Sequence, residues 1–221
     1  MALFAQPTDS KMVALDDLYP GQNVTTFDLR QRSESGQTFF NEEWMTGQFV
    51  FDDGSFSQRA YFLKYNIQSQ ELLVNLEGSV YLVPTENLSG FLLKGVLPEN
   101  AGFLNHEFEF RTIAGKSGRT ILEKKVDGAF KLYLYYDVKA LKPNYVPALD
   151  AGDINTKYVK KNVYYLESEG NFREIPQKRK KAEKFFDKYA AAKVYMEGQK
   201  MKIKSETYLI DLVNFMNQNL N

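Results

Sequence analysis

Cysteine is absent from the 221 residues, and histidine and tryptophan occur once each. The missing cysteine removes thiolate nucleophiles, cysteine zinc sites and any disulfide framework. It does not assign a compartment, because a large core is stable without disulfides in either redox setting. With His106 alone, a multi-histidine metal centre is excluded, and a Ser-His-Asp mechanism would have to run through this one ring. No apolar run approaches the roughly 18 residues of a membrane-spanning helix. Neither sign of charge is in excess, with 28 basic and 28 acidic residues. That balance weighs against a dedicated nucleic-acid binder, which carries a basic surplus, and against a disordered chain.

Aromatic side chains are abundant: 17 Phe and 14 Tyr in a chain that is 43% hydrophobic. Such rings favour pleated, half-buried surfaces, so the composition points toward β-structure. From about residue 46 to 175 apolar runs are separated by turn residues, as in FVFDDGSF (49–56), VNLEGSVYLV (74–83), KKVDGAFKLYLYY (124–136) and YYLESEGNFREI (164–175). An acidic residue followed by Gly between alternating apolar residues signals a hairpin, since glycine supplies the positive φ of a tight turn. Successive turns of this kind predict an antiparallel meander. Period two is visible within the strands: His106, Phe108 and Phe110 share one face, while Glu107, Glu109 and Arg111 share the other. Phe130, Leu132, Leu134, Tyr136 and Val138 likewise stand opposite Lys131, Tyr133, Tyr135 and Asp137.

After Pro176 the period changes. Ala182, Phe185, Phe186 and Tyr189 recur at helical spacing within 178–198, with a break near Ala190–Ala192 that would make two short helices and Gly198 as a stop. Residues 205–219 carry the clearest helix, with Tyr208, Leu209, Leu212, Val213 and Met216 as its apolar stripe, Ser205 as N-cap and Glu206 at the positive end of the dipole. Strands first and helices last is an α+β order. The expected fold is a curved antiparallel β-sheet of seven to ten strands, built of hairpins and followed by two or three C-terminal helices. Residues 1–45 form an irregular N-terminal segment, 46–175 the antiparallel β region, and 176–221 a helical segment packed on it. Residues 142–157, rich in Pro, Gly, Asp and Asn, read as a long loop.

Several short motifs invite chemistry. IAGKSGRT (113–120) looks like a nucleotide-binding loop, but a Walker loop needs a glycine where Phe110 stands and a helix where another strand begins. It reads as a glycine-rich turn with an exposed Lys116. The carboxylate pairs Asp16-Asp17, Glu42-Glu43 and Asp52-Asp53 are adjacent residues, which point apart on a strand and so cannot flank one substrate. Asp150, Asp153 and Asn155 match the spacing of a calcium loop poorly. KRKK (178–181) is the strongest basic run and reads as a solvated first turn of a helix. Ten basic residues face five acidic ones from Pro176 onward. No pattern asks for a cofactor or metal. Trp44, Tyr133 and Tyr135 are the candidate interaction residues, the two tyrosines because they stand on the more polar face of their strand; the other reading is that they lie beneath the helices, with the sheet covered on both faces.

GQFVFDDGSFSQRAYFLKYN (47–66), LLVNLEGSVYLVPTENLSGFLL (72–93) and the tail YYLESEGNFREI with its lysine-rich helices resemble a group of exported, β-rich proteins of Gram-negative envelopes. The resemblance covers about residues 47–221 and implies export and a non-enzymatic role, with no catalytic residues to carry over. The apolar stub ending at Ala5 fits a signal peptide remnant, although Leu3 suits the cleavage rule poorly. The leading expectation is a periplasmic or outer-membrane-associated binding protein for an envelope partner, without a transmembrane helix and without nucleic acid. A carrier of an apolar small ligand, held between sheet and helices, is the second reading. A hydrolase using dispersed carboxylates is the third.

Overall fold

A computed structural model describes residues 35–36, 38–96, 103–142, 156–198 and 200–220. The stub at Ala5, the Asp16-Asp17 pair and the Asp150–Asn155 loop lie outside the described residues. The described chain is α+β: one curved, almost wholly antiparallel sheet followed by three helices. Its strands are β1 (Ser35–Gly36), β2 (Met45–Phe51), β3 (Tyr61–Asn66), β4 (Glu71–Leu76), β5 (Ser79–Leu82), β6 (Leu88–Val96), β7 (Phe103–Thr112), β8 (Arg119–Val126), β9 (Phe130–Leu141), β10 (Lys157–Ser168) and β11 (Asn171–Glu174). The helices are α1 (Arg179–Phe186), α2 (Ala190–Met196) and α3 (Glu206–Gln218). Ten of the described strands are antiparallel, within the seven to ten expected; β1, two residues long and parallel to β10, carries no periodicity that a sequence reading could detect.

The hairpin signals fold as their residues require. β4 and β5 are joined by Glu77 and Gly78, at φ 50° and 85°, and β10 and β11 by Glu169 and Gly170, at 53° and 76°. Positive φ at both central residues is the turn whose twist suits a two-residue hairpin. The strand order, however, is β1-β10-β9-β8-β7-β6-β2-β3-β4-β5, with β11 also on β10. This is two meanders rather than one, because β6 returns to lie beside β2 instead of continuing next to β5.

The sheet curls strongly toward one face, called inner here. β3 and β7 are three steps apart in the sheet, which at about 4.8 Å per strand would separate them by roughly 14 Å if flat. The rings of Tyr65 on β3 and Phe108 on β7 nevertheless meet at 5.4 Å. The amide of Ile121 on β8 donates to the side chain of Gln70, in the β3–β4 turn, at 3.0 Å. Residues 38–40 pair with the end of β3 while β1 pairs with β10, so this stretch ties the two ends of the curl together. Gly47 and Gly90 permit the tight β2–β6–β7 contact. A Cβ at Gly90 would lie 2.1 Å from the Phe108 carbonyl oxygen, and one at Gly47 would lie 2.2 Å from that of Leu92.

The inner face holds two cores. Phe49, Leu63, Tyr65, Leu72, Phe91 and Phe108 belong to one, formed by the curled strands themselves. Leu132, Leu134 and Leu166 belong to the other, covered by Phe186, Leu209, Leu212 and Met216 of the helices. The expected stripe of α3 is buried residue for residue, and the Ser205 hydroxyl accepts the Tyr208 amide at 3.3 Å. The helical run from residue 178 divides between Phe186 and Ala190, just before the expected point. A smaller third core on the outer face gathers Ile113, Leu122, Tyr133, Tyr135, Val163 and Tyr165.

Candidate functional site

The GKSG stretch is the turn between β7 and β8, with Gly115 at φ 83° and Gly118 at φ 71°. A strand follows it, so no helix end faces the loop. The Lys116 ammonium rests 4.2 Å over the Tyr135 ring. Tyr133 and Tyr135 are buried in the outer-face core and so offer little solvent-facing surface. Trp44 is half-buried, with Lys64 over its ring at 5.8 Å. Among the described residues the rings that do face solvent are Phe56 and Phe62, 53% and 59% exposed.

Phe56 owes its exposure to an interrupted hairpin. Asp53 accepts the Ser55 amide and hydroxyl at 2.8 and 2.6 Å, and Gly54 takes φ 81°, so the chain reverses after Phe51. The Ser55 hydrogen bonds hold the Asp53 carboxyl below its ordinary value. Pairing then lasts only to Ser57, a buried residue whose hydroxyl accepts the Phe49 amide and donates to the Arg59 carbonyl. Gln58 to Ala60 swing outward before β3 begins. The result is a cleft of about 860 Å³ lined by Phe51, Phe56, Arg59 and Tyr61 among others. The Arg59 guanidinium lies 5.1 Å over the Tyr61 ring, and its Nε donates to the Tyr61 hydroxyl at 3.0 Å. Aromatic and arginine side chains in a held geometry are what protein-binding hot spots are made of.

Two charged constellations lie on opposite faces of the central strands. On the inner face Glu123, 2% exposed, meets His106 Nδ1 at 2.6 Å and Lys125 Nζ at 2.8 Å, and it accepts the Tyr136 hydroxyl. Lys125 also reaches Glu206 of α3 at 3.1 Å, and the Tyr164 hydroxyl donates to the same carboxylate. Burial pushes the Glu123 carboxyl up, but the hydrogen bond from His106 and the Lys125 charge outweigh it and hold the group below its ordinary value. Burial beside Glu123 raises Tyr136 far above a free phenol, and burial beside Glu206 raises Tyr164 to about 12. A register shift between Lys124 and Val126 lets Val126 join the inner core beside Lys125.

On the outer face Glu109 accepts the Tyr133 hydroxyl at 2.8 Å and pairs with Arg111 and Lys124. Lys124 also reaches Glu107 at 2.6 Å and Asp127 at 3.3 Å. Burial raises the Glu109 carboxyl, yet Tyr133 and the two cations hold it below its usual range. Burial beside the same carboxylate raises Tyr133 well above a free phenol. A cleft of about 330 Å³ opens next to this group at Gly90, rimmed by Asp52, Glu107, Arg111 and Arg119. Among the described residues no three or more His, Asp or Glu side chains are placed to hold a metal ion. None of the described helices is long and apolar enough to cross a membrane.

Sequence reasoning singled out neither Glu123 nor the Phe56–Arg59 cleft. For the first there was no signal, because Glu123 alternates with Arg119, Ile121 and Lys125, a face whose charges do not announce burial. The cleft had none either, since FSQRAY reads simply as the run between two strands. No protein-family model, no curated protein and no solved structure matches the chain.

Proposed function

We propose that this is a non-catalytic binding protein that holds a protein partner at the cleft between β2 and β3. The observation that carries the reading is Phe56, a large ring 53% exposed beside Arg59 and Tyr61 on a hairpin fixed by Asp53 and Ser57. An exposed ring on a rigid support loses little freedom on binding, so more of its contact energy appears as affinity. The alternative of an apolar carrier is less well supported. The space inside the curl is taken by Phe40, Tyr65, Phe91 and Phe108, whose ring centroids stand 4.7–6.5 Å apart. Hydrolase chemistry needs one carboxyl raised toward neutral pH as an acid, whereas Glu109 and Glu123 are both held low. Export to the periplasm or outer membrane belongs to the same reading and rests on the envelope-protein resemblance.

Native mass spectrometry of the protein purified gently from an envelope fraction tests the proposal. A second polypeptide at fixed stoichiometry, lost in Phe56→Ala/Arg59→Ala but kept in wild type, is the expected result. A bare monomer, a partner retained equally by the variant, or recovery only from the cytoplasm would overturn it. A bound small molecule of defined mass would favour the carrier instead.

A further inference from the structure

At the end of the strand order opposite β5, two adjoining clefts of about 190 and 540 Å³ share Gln177, Ile203 and Lys204 and form one groove. It runs from β10 across the β11–α1 connection to the start of α3. Its cations are Lys161, Arg179, Lys202 and Lys204, all exposed, and among the described residues no carboxylate lines it. Arg179 is paired with Glu183 at 2.7 Å. Lys161, Lys202 and Lys204 carry no ion pair among the described residues. Glu206, two residues beyond Lys204, is engaged by Lys125 and by the Tyr164 hydroxyl. Glu174, opposite Tyr165, and Asp137, opposite Lys161 on β9, are the other acids nearby, and neither is among the residues that line the groove.

From these placements we infer that the groove receives an extended, acidic segment of a partner polypeptide. The groove is recessed: Ile175 and Met201 are 2% and 4% exposed and Ile203 packs partly buried against the helix-covered core, so none of the three stands out as a fully exposed bilayer anchor. It exposes no aromatic platform of the kind that stacks nucleic-acid bases. An extended chain also suits the neighbouring backbone. The outer edge of β10 has strand partners at Lys157–Tyr158 and again at Tyr165–Ser168; between them, among the described residues, Gln177 and Ile175 donate to the Asn162 and Tyr164 carbonyls. A strand edge beside a row of unpaired lysines matches main-chain pairing plus carboxylate recognition. This surface shares no residue with the Phe56 cleft, so either can fail without the other.

The test is fluorescence anisotropy with a labelled peptide alternating Glu and Thr, its Gln–Thr counterpart, and phosphatidylserine vesicles in a parallel sedimentation assay. The full chain is compared with Lys161→Glu/Lys204→Glu and with Lys180→Glu/Lys181→Glu, an equal charge change outside the groove. All four lysines are exposed, so the variants keep the fold, and their melting curves verify this. Saturable binding of the Glu–Thr peptide is expected, weakened about tenfold or more by the groove reversal and only a few-fold by the control. Failure of the peptide to bind, equal binding of the Gln–Thr peptide, equal loss in both reversals, or binding to vesicles alone would each overturn the inference.

Discussion

The two cores of the inner face are closed in different ways. Around Phe49, Tyr65, Phe91 and Phe108 the sheet bends until its own strands cover one another, and none of the described helices takes part. Around Leu132, Leu134 and Leu166 the sheet is more open, and the three helices form a lid. The first solution depends on backbone, since only glycine fits at 47 and 90. The second depends on side chains at helical spacing. The polar group of Glu123, His106, Lys125 and Tyr136 stands where the two meet, and Lys125 carries the connection on to Glu206 of the lid. The proposed surfaces divide the same way: the aromatic cleft belongs to the self-closing half, the cationic groove to the lidded half.

Gly90→Ala should break the first half most severely. Its methyl group would press on a carbonyl oxygen in the next strand, and backbone has no rotamer to give. We expect a loss of more than about 3 kcal/mol in denaturant unfolding, the upper range for overpacking. Leu212→Ala removes a fully buried side chain of the lid and should cost about 3 kcal/mol, within the range for cavity formation. It should also abolish binding to the cationic groove while leaving the aromatic cleft competent.

Glu123→Gln at the seam should cost about 2 kcal/mol, because it leaves Lys125 partly uncompensated in a buried setting. The same carboxylate predicts acid sensitivity. Glu123 and Glu109 are both held below their ordinary value, so their stabilisation is present above that value and is lost as pH falls through the lowered ones. Urea midpoints measured from neutral to acid pH should therefore fall, and fall less in Glu123→Gln. Ser205→Ala should have the smallest effect, about 1 kcal/mol, from one lost cap on α3.

Local features of both halves were legible in the sequence, and the way they join was not. The turns at Glu77-Gly78 and Glu169-Gly170, the alternation around Phe108, and the α3 stripe each follow from residues close together in the chain. The return of β6 to β2 does not, because alternation orients a strand's faces and says nothing about its neighbour. Nor do the glycine contacts, since Gly47 and Gly90 look like any strand glycine until the carbonyl beside each is known. Tyr133 and Tyr135 stand on a face bearing Lys131 and Asp137, which suggested exposure. They are buried because β10 adds Val163 and Tyr165, and Phe172 of β11 closes over Tyr133.

Hydrogen–deuterium exchange on Leu212→Ala, under conditions where the variant is still mostly folded, tests the division most directly. If the curled half closes by itself, protection should fall in α1 to α3 and in the stretches of β9 and β10 beneath them, while β2, β3, β6 and β7 keep wild-type protection. A uniform loss across all strands would contradict it and make the two cores one cooperative unit.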